Sequence, residues 1–368
     1  MSGRILIIGL GDIGRRLAAG LAQLGSKEVR ELIVAGRCVA GGASLAALLA
    51  ACGETVVRFA PLDAGRPSAI ESLLRRERPD IVVQCASLLS PWYLSACRSE
   101  QAATLRAAGF AAQLPAQLPL VTNLMKAVRG TDFQGAVINC SYPDVTHPIL
   151  ARAELAPTIG LGNVSMILAR IRAFLRERDA SVNEDGSHAD LPPVRVLAHH
   201  AHVTSTVLSQ PQDGVELRPR VYLGEEMRRA DELAYSAPPL LSNPSLNALS
   251  AASSLPVIRA FLPGSAPLHT SAPGPRGLPG GYPLLITNGQ VELDLPPGLG
   301  LDEAVAFQHR CARLDGVEAI SDDGTVIFTE ATQEALRKLD PSLAEPLAPS
   351  QAEQRFRLIE SLLHAAER

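Results

Sequence analysis

Arg4-Ile5-Leu6-Ile7-Ile8 runs directly into Gly9-Leu10-Gly11-Asp12-Ile13-Gly14, and Arg15-Arg16-Leu17-Ala18-Ala19-Gly20-Leu21 follows with its apolar residues at helical spacing. The first segment is short and rich in β-branched residues, as a strand buried on both faces of a parallel sheet is. A G-x-G-x-x-G run between such a strand and a helix is a phosphate-cradling turn. The first glycine allows the tight turn, the second lets a pyrophosphate approach the backbone, and the third lets the helix lie close on the strand. Free N–H groups at the helix start face the phosphates. Gly9, Gly11 and Gly14, with Asp12 and Ile13 inside the turn, are therefore candidate dinucleotide contacts.

The same alternation continues outward. Residues 31–35 read as a second strand, 43–52 as a helix, 55–59 as a third strand and 67–78 as a helix. Residues 80–85 form a fourth strand, closed by Ala86 and Ser87, and 135–140 a fifth. This pattern predicts a Rossmann doubly wound parallel sheet of order 3-2-1-4-5-6. No acidic residue closes the second strand; Gly36-Arg37 stands there instead. An arginine at that place suits a ribose 2′-phosphate, so the sequence reads as NADP(H)-binding, with NAD as the alternative. Asp63, after the third strand, reads as an adenine contact or a helix cap. Ala86 and Ser87 fall at the strand ends, where the ligand of such a sheet lies.

The chain has 368 residues, which fits a dinucleotide domain at 1–150 and an α+β substrate and oligomerisation domain at 151–368. Thirty-four basic side chains against 38 acidic ones give a net charge of −4, which argues against a nucleic-acid binder. No apolar run is long enough for a membrane span. The six cysteines form no C-x-x-C pair, and no signal-peptide layout opens the chain, so a reduced, cytoplasmic protein is expected. Its partner is expected to be a small molecule, and its assembly a homodimer.

The second half offers the chemistry. Residues 194–198 read as a strand running into His199-His200-Ala201-His202. If 198–203 is extended, His200 and His202 share one face and His199 points away. An acid–base role for His202 or His200 competes with a metal site built on that pair with His147 or Cys140, and with ordinary buried or surface histidines. Tyr142 and Asp144, after the fifth strand, sit near the reactive end of the cofactor. Asn163 precedes a helix from about residue 164 and could hold substrate. Arg98 and Arg106, in the long segment 88–118, are candidates to grip a carboxylate. The stretch 179–193 reads as an exposed loop. The Pro- and Gly-rich stretch 263–283 reads as a long irregular loop, either a site cover or an oligomer arm.

Ser141-Tyr142-Pro143-Asp144, the Gly160-Leu161-Gly162-Asn163 turn and the His-rich strand together resemble the lactate/malate dehydrogenase fold over residues 1–210. The resemblance implies an NAD(P)-dependent oxidoreductase in which His202 falls on the family's catalytic histidine and Ser205 on its serine. It also implies an aspartate that orients the histidine, but Ser165 stands at that position. The carboxylate-binding arginine of that helix has no counterpart, and Tyr142 replaces an asparagine. The first 90 residues also resemble the NADP-binding half of saccharopine-dehydrogenase-like reductases. The expected reaction is hydride transfer to or from a C=O or C=N of a small polar substrate that carries a carboxylate. A dinucleotide-binding scaffold without activity, or a metal- or nucleotide-assisted lyase or hydrolase on the same fold, are the alternatives.

Overall fold

Apolar strand residues with no polar face must be covered on both sides, and the computed structural model shows how this is done. It describes residues 2–178, 191–211 and 214–365; most of the loop expected at 179–193 lies outside them. Six strands, β1 (Gly3–Ile8), β2 (Val29–Gly36), β3 (Val56–Pro61), β4 (Ile81–Gln84), β5 (Ala136–Asn139) and β6 (Ile159–Gly160), form one sheet. Their order is β3-β2-β1-β4-β5-β6 and every pairing is parallel, the doubly wound arrangement that the alternation implied. Ile5, Leu6 and Ile7 are fully buried on the central strand.

Helices α1 (Asp12–Ala22), α2 (Val39–Cys52), α3 (Pro67–Glu77), α4 (Pro91–Ala96), α5 (Glu100–Ala107), α6 (Leu114–Arg129) and α7 (Pro143–Ala151) fill the connections. The segment 88–118 is therefore mostly helical. The last strand of the sheet lies past residue 150, and both faces of the sheet are covered partly by the second half of the chain. One core joins Leu6, Val82 and Leu124 to Phe328, Leu336 and Ile359; the other joins Ile5, Val83 and Ile138 to Val257, Tyr282 and Phe307.

The second half holds α8 (Val164–Arg178), β7 (Val194–Leu197), α9 (His202–Val207), β8 (Arg220–Leu223), β9 (Arg228–Arg229) and α10 (Leu246–Arg259). It continues through β10 (Leu268–Pro273), β11 (Gly281–Thr287), β12 (Gln290–Leu293), α11 (Leu301–Ala312), β13 (Val317–Ile320), β14 (Val326–Phe328), α12 (Glu330–Arg337) and α13 (Ala352–Ala365). These strands make three small antiparallel sheets, an α+β arrangement.

Two expectations are corrected here. The stretch 263–283 is not a structureless cover: most of it is β10, a tight turn and the start of β11, paired from Leu268↔Ile286 to Pro273↔Gly281. Ser271, Ala272 and Tyr282 are fully buried in this ladder, so its Pro and Gly residues shape a hairpin rather than loosen the chain. Nor is 198–203 a strand. Ala198 makes one last bridge to Gly281. The chain then turns, with His202 N–H donating to His199 O at 3.0 Å and Val203 N–H to His200 O at 2.9 Å. A helix starts at His202. The alternation that would place His200 and His202 on one face therefore does not exist.

Candidate active site

The crevice begins at the glycine turn. A Cβ on Gly14 would lie 2.0 Å from Gly9 O, and one on Gly9, at φ +100°, would lie 2.5 Å from Ala86 N. Both positions admit only glycine because α1, β1 and β4 meet there. A Cβ on Gly11 would meet nothing within 4 Å. Open space therefore lies beside the start of α1, where helix N–H groups are free to receive a phosphate. The residues present fit a dinucleotide.

Three adjoining hollows run along the C-terminal strand ends. The first, about 370 Å³, is lined by Gly9, Gly11, Arg37, Asp63, Ala86 and Ser87, among others. The second, about 210 Å³, lies between Arg15, Arg37, Cys38 and the glycines at the start of α2. Arg15 Nε donates to Leu10 O at 2.9 Å, which holds that guanidinium at the rim, while Arg37 is exposed. Asp63 Oδ1 accepts from Gly65 N–H at 3.0 Å, so it closes a local turn; the residue before α3 is Arg66.

The third hollow, about 410 Å³, opens from Gly11, Asp12 and Ile13 into the second half of the chain. His200 lies in its wall, beside Tyr142, Phe110 and Asn163. His200 Nδ1 sits 2.7 Å from Asp315 Oδ2, and Tyr142 donates its O–H to the same oxygen at 2.9 Å. The Phe110 ring packs on the imidazole at 4.1 Å between centroids, and the Tyr142 ring meets it edge-on at 5.0 Å. The backbone is fixed too. His200 N–H donates to Asp144 Oδ1 at 2.8 Å, and the other Asp144 oxygen accepts from the Asn163 amide. Tyr142 and Asn163 both hold left-handed backbone, at φ +44° and +48°, an unfavourable conformation for residues other than glycine.

The electrostatics follow from this packing. Burial raises the Asp315 carboxyl, but the neighbouring His200 and His199 outweigh it and hold the group well below the usual carboxylate range. Burial lowers His200, and the adjacent Asp315 carboxylate, its hydrogen bond and Asp144 more than reverse this, so the imidazole is raised above its ordinary value. Burial and Asp315 keep the Tyr142 phenol protonated. Nδ1 of His200 is bound to Asp315, so Nε2 is the nitrogen left to meet a ligand in the hollow.

His202, placed by sequence on the family's catalytic position, stands elsewhere. It is fully buried, its Nδ1 accepts from His199 N–H at 2.8 Å, and its Nε2 lies 2.6 Å from Leu217 O. Burial pushes it down to about 4, and the bond to Leu217 only partly offsets this. Both nitrogens serve the backbone, which leaves none for substrate or metal. His147 is similar: Nδ1 faces Gly274 O at 2.7 Å and Nε2 faces Asn139 at 3.1 Å, and burial lowers it to about 4. Among the described residues no group of three His, Cys, Asp or Glu side chains is arranged to hold a metal ion.

The two arginines offered for a carboxylate are also elsewhere. Arg106 donates to Leu94 O and Cys97 O, joining α4 to α5, and Arg98 is exposed; neither lines the hollow. Asp144 is buried and spends its oxygens on His200 and Asn163. Ser165, at the family's aspartate position, donates instead to Ser271 O at 2.7 Å. The carboxylate beside His200 is Asp315. It comes from the turn after α11, where a Cβ on the following Gly316, at φ +99°, would lie 2.4 Å from Thr332 Oγ1. An Asp-Gly pair marks a turn in the sequence, but nothing in the sequence joins it to a histidine 115 residues earlier.

Fold and crevice define a doubly wound α/β protein whose glycine turn fits a dinucleotide. The chain is similar in structure to a minor L-lactate dehydrogenase from Enterococcus mundtii in a ligand-bound form, with 15% identity, a TM-score of 0.51, and coverage of 84% of this chain and 95% of that one. It also overlaps MGS-M5, a lactate dehydrogenase from a Medee basin deep-sea metagenome library, with 13% identity, a TM-score of 0.49, and coverage of 85% and 96%. No protein-family model matches the sequence, and no curated protein does. The Enterococcus likeness gives the fold as lactate dehydrogenase-like along most of the chain. Nothing in these likenesses supports the resemblance to saccharopine-dehydrogenase-like reductases.

Proposed function

We propose that the protein is an NADP(H)-dependent oxidoreductase that moves a hydride to or from a C=O or C=N of a small polar substrate. The observation that carries this reading is the His200–Asp315 pair facing a hollow continuous with the glycine turn. Gly9, Gly11 and Gly14 would cradle the pyrophosphate, and Arg37 with Arg15 would take the 2′-phosphate. A nicotinamide bound beyond them supplies or accepts the hydride.

The chain itself handles the proton. In reduction, protonated His200 donates from Nε2 to the substrate oxygen or nitrogen; in oxidation, the neutral ring accepts. Asp315 holds Nδ1–H, fixing the tautomer and stabilising the imidazolium, as an orienting carboxylate does. Tyr142 anchors Asp315 and acts as a positioning residue. Phe110 restricts water on one face of the ring.

NADPH binding by calorimetry tests the reading at its root: stoichiometric heat is expected, and its absence would remove the proposal. Arg37→Ala tests the 2′-phosphate assignment. A hydrogen bond to a charged group contributes about 1.5–3 kcal/mol, so NADPH affinity should fall ~10- to ~150-fold while NADH affinity barely moves. An unchanged NADPH/NADH ratio would assign the phosphate to other residues.

A further inference from the structure

Cys85 and Cys140 follow β4 and β5 directly, each one place beyond the last paired residues, Gln84 and Asn139. The two strands are parallel neighbours and are still joined there, with Cys140 N–H donating to Gln84 O at 2.8 Å. Strands in register turn equivalent side chains to one face of the sheet. Both cysteines accordingly pack on the core beneath α1, and a Cβ on Gly14 would lie 3.5 Å from Cys85 Cβ. Their sulfurs are 3.6 Å apart. Fifty-five residues separate the two in the chain, so no local motif marks the pair.

This placement suits a covalent bond. Neighbouring strands lie about 4.7–4.9 Å apart, and a disulfide spans about 4.4–6.8 Å between Cα atoms. The sulfurs have about 1.5 Å to close to reach the ~2.05 Å of that bond. Both residues are half-buried and both line the third hollow, so a small oxidant in the hollow meets them. The hydrogen bond with Cys140, then burial, raise the Cys85 thiol well above its ordinary value. Cys85 thus keeps its proton, and Cys140 is the sulfur placed to attack first. Cys85 also lines the first hollow. A dinucleotide running from Gly9 and Gly11 to His200 therefore passes over it.

We propose that Cys85 and Cys140 are a redox modification site, which a hydroperoxide closes to a disulfide and a bound dinucleotide covers. The Cys140 thiolate attacks one peroxide oxygen; the S–O bond forms, the O–O bond breaks, and hydroxide leaves to take up the proton Cys140 released. Cys85 then attacks the sulfenic sulfur of Cys140. The S–S bond forms, the S–O bond breaks, and the second water leaves with the Cys85 proton. Two thiols are oxidised by two electrons and one peroxide is reduced to two waters. The covering rests on the dinucleotide reading of the crevice; the dithiol chemistry does not.

Reduced full-length protein would be exposed to hydrogen peroxide, with and without NADP⁺, then alkylated in denaturant and mapped by peptide mass. The parent should yield a peptide pair joined through Cys85 and Cys140, which dithiothreitol returns to two thiols that alkylate. In Cys140→Ser, Cys85 should be recovered alkylated, because the sulfur that attacks first is gone. NADP⁺ at ~100 times its Kd leaves about one molecule in a hundred free, so cross-linking should slow at least ~10-fold. Both cysteines recovered as alkylated thiols after peroxide, a disulfide from either to another cysteine, or sulfinic acid at Cys140 in place of the bond would overturn the inference. NADP⁺ that binds by calorimetry yet leaves the rate unchanged would overturn the covering. If the cross-link forms and NADP⁺ does not bind, the oxidoreductase reading fails while the dithiol site stands.

Discussion

His200→Gln should lower kcat by about 10²- to 10⁴-fold with any carbonyl compound the protein reduces, the range a positioned acid or base contributes. NADPH affinity should stay near that of the parent, because His200 lines the third hollow and not the first two. His202→Gln should leave the chemical step far less affected, since both ring nitrogens of His202 meet the backbone. A larger kcat loss in His202→Gln than in His200→Gln would reverse the assignment.

Asp315→Asn should combine a fall in kcat with a shift in pH dependence. The carboxylate raises His200, so without it the imidazole titrates at lower pH. Reduction needs protonated His200 and declines as pH rises through its pKa; that limb should move to lower pH in Asp315→Asn. Oxidation needs the neutral ring, and its rising limb should move the same way. Stability has its own signs. The raised His200 contributes fully below its unfolded value, ~6.5, and the contribution is lost as pH climbs through the folded value. The depressed Asp315 contributes above its unfolded value, ~3.9, and the contribution is lost as pH falls through the folded value. The pair should therefore stabilise the fold most between those two unfolded values. Denaturant unfolding of parent and Asp315→Asn across that interval, with stopped-flow pH profiles, checks both statements.

Gly14→Ala should weaken both dinucleotide binding and the fold. The added carbon would stand 2.0 Å from Gly9 O, a backbone atom that cannot swing aside. Either α1 lifts away from β1 or the turn opens, and both displace the N–H groups meant for phosphate. Overpacking of this kind costs about 1–3 kcal/mol. Urea unfolding should show that loss, and calorimetry should show NADPH affinity down by at least ~10-fold. Gly11→Ala separates the two effects. Its Cβ meets no protein atom within 4 Å, so stability should hold while NADPH binding falls. Unchanged binding in both variants would place the nucleotide elsewhere.

What the sequence made legible is the part built from neighbours. β1, the glycine turn and α1 are contiguous, and short continuous apolar runs and period-3.6 patterns mark the strands and helices that set the order of the sheet. Arg37 could be placed because it follows β2 directly. The acid–base partner could not. His200 and Asp315 meet only because α11 returns the chain to the mouth of the crevice, and no local pattern encodes that return. Ser165, where the resemblance implies an aspartate, lies in α8, whereas Asp315 comes from the C-terminal elements. The resemblance favours His202, and an extended 198–203 would put His200 on the same face, whereas one bridge to Gly281 ends the ladder at Ala198 and the helix begins at His202. The stretch 263–283 misled for a related reason. Its glycines close the turn between β10 and β11, and tertiary burial of Ser271, Ala272 and Tyr282 overrides a composition that reads as loop.

The most direct measurement is a crystal structure of the full chain grown with saturating NADPH. The pyrophosphate should lie at Gly11, the 2′-phosphate between Arg37 and Arg15, and the nicotinamide in the hollow that holds His200. A crevice with no nucleotide under those conditions, or a nicotinamide seated away from His200, would break the link between the glycine turn and the His200–Asp315 pair on which the proposed function stands.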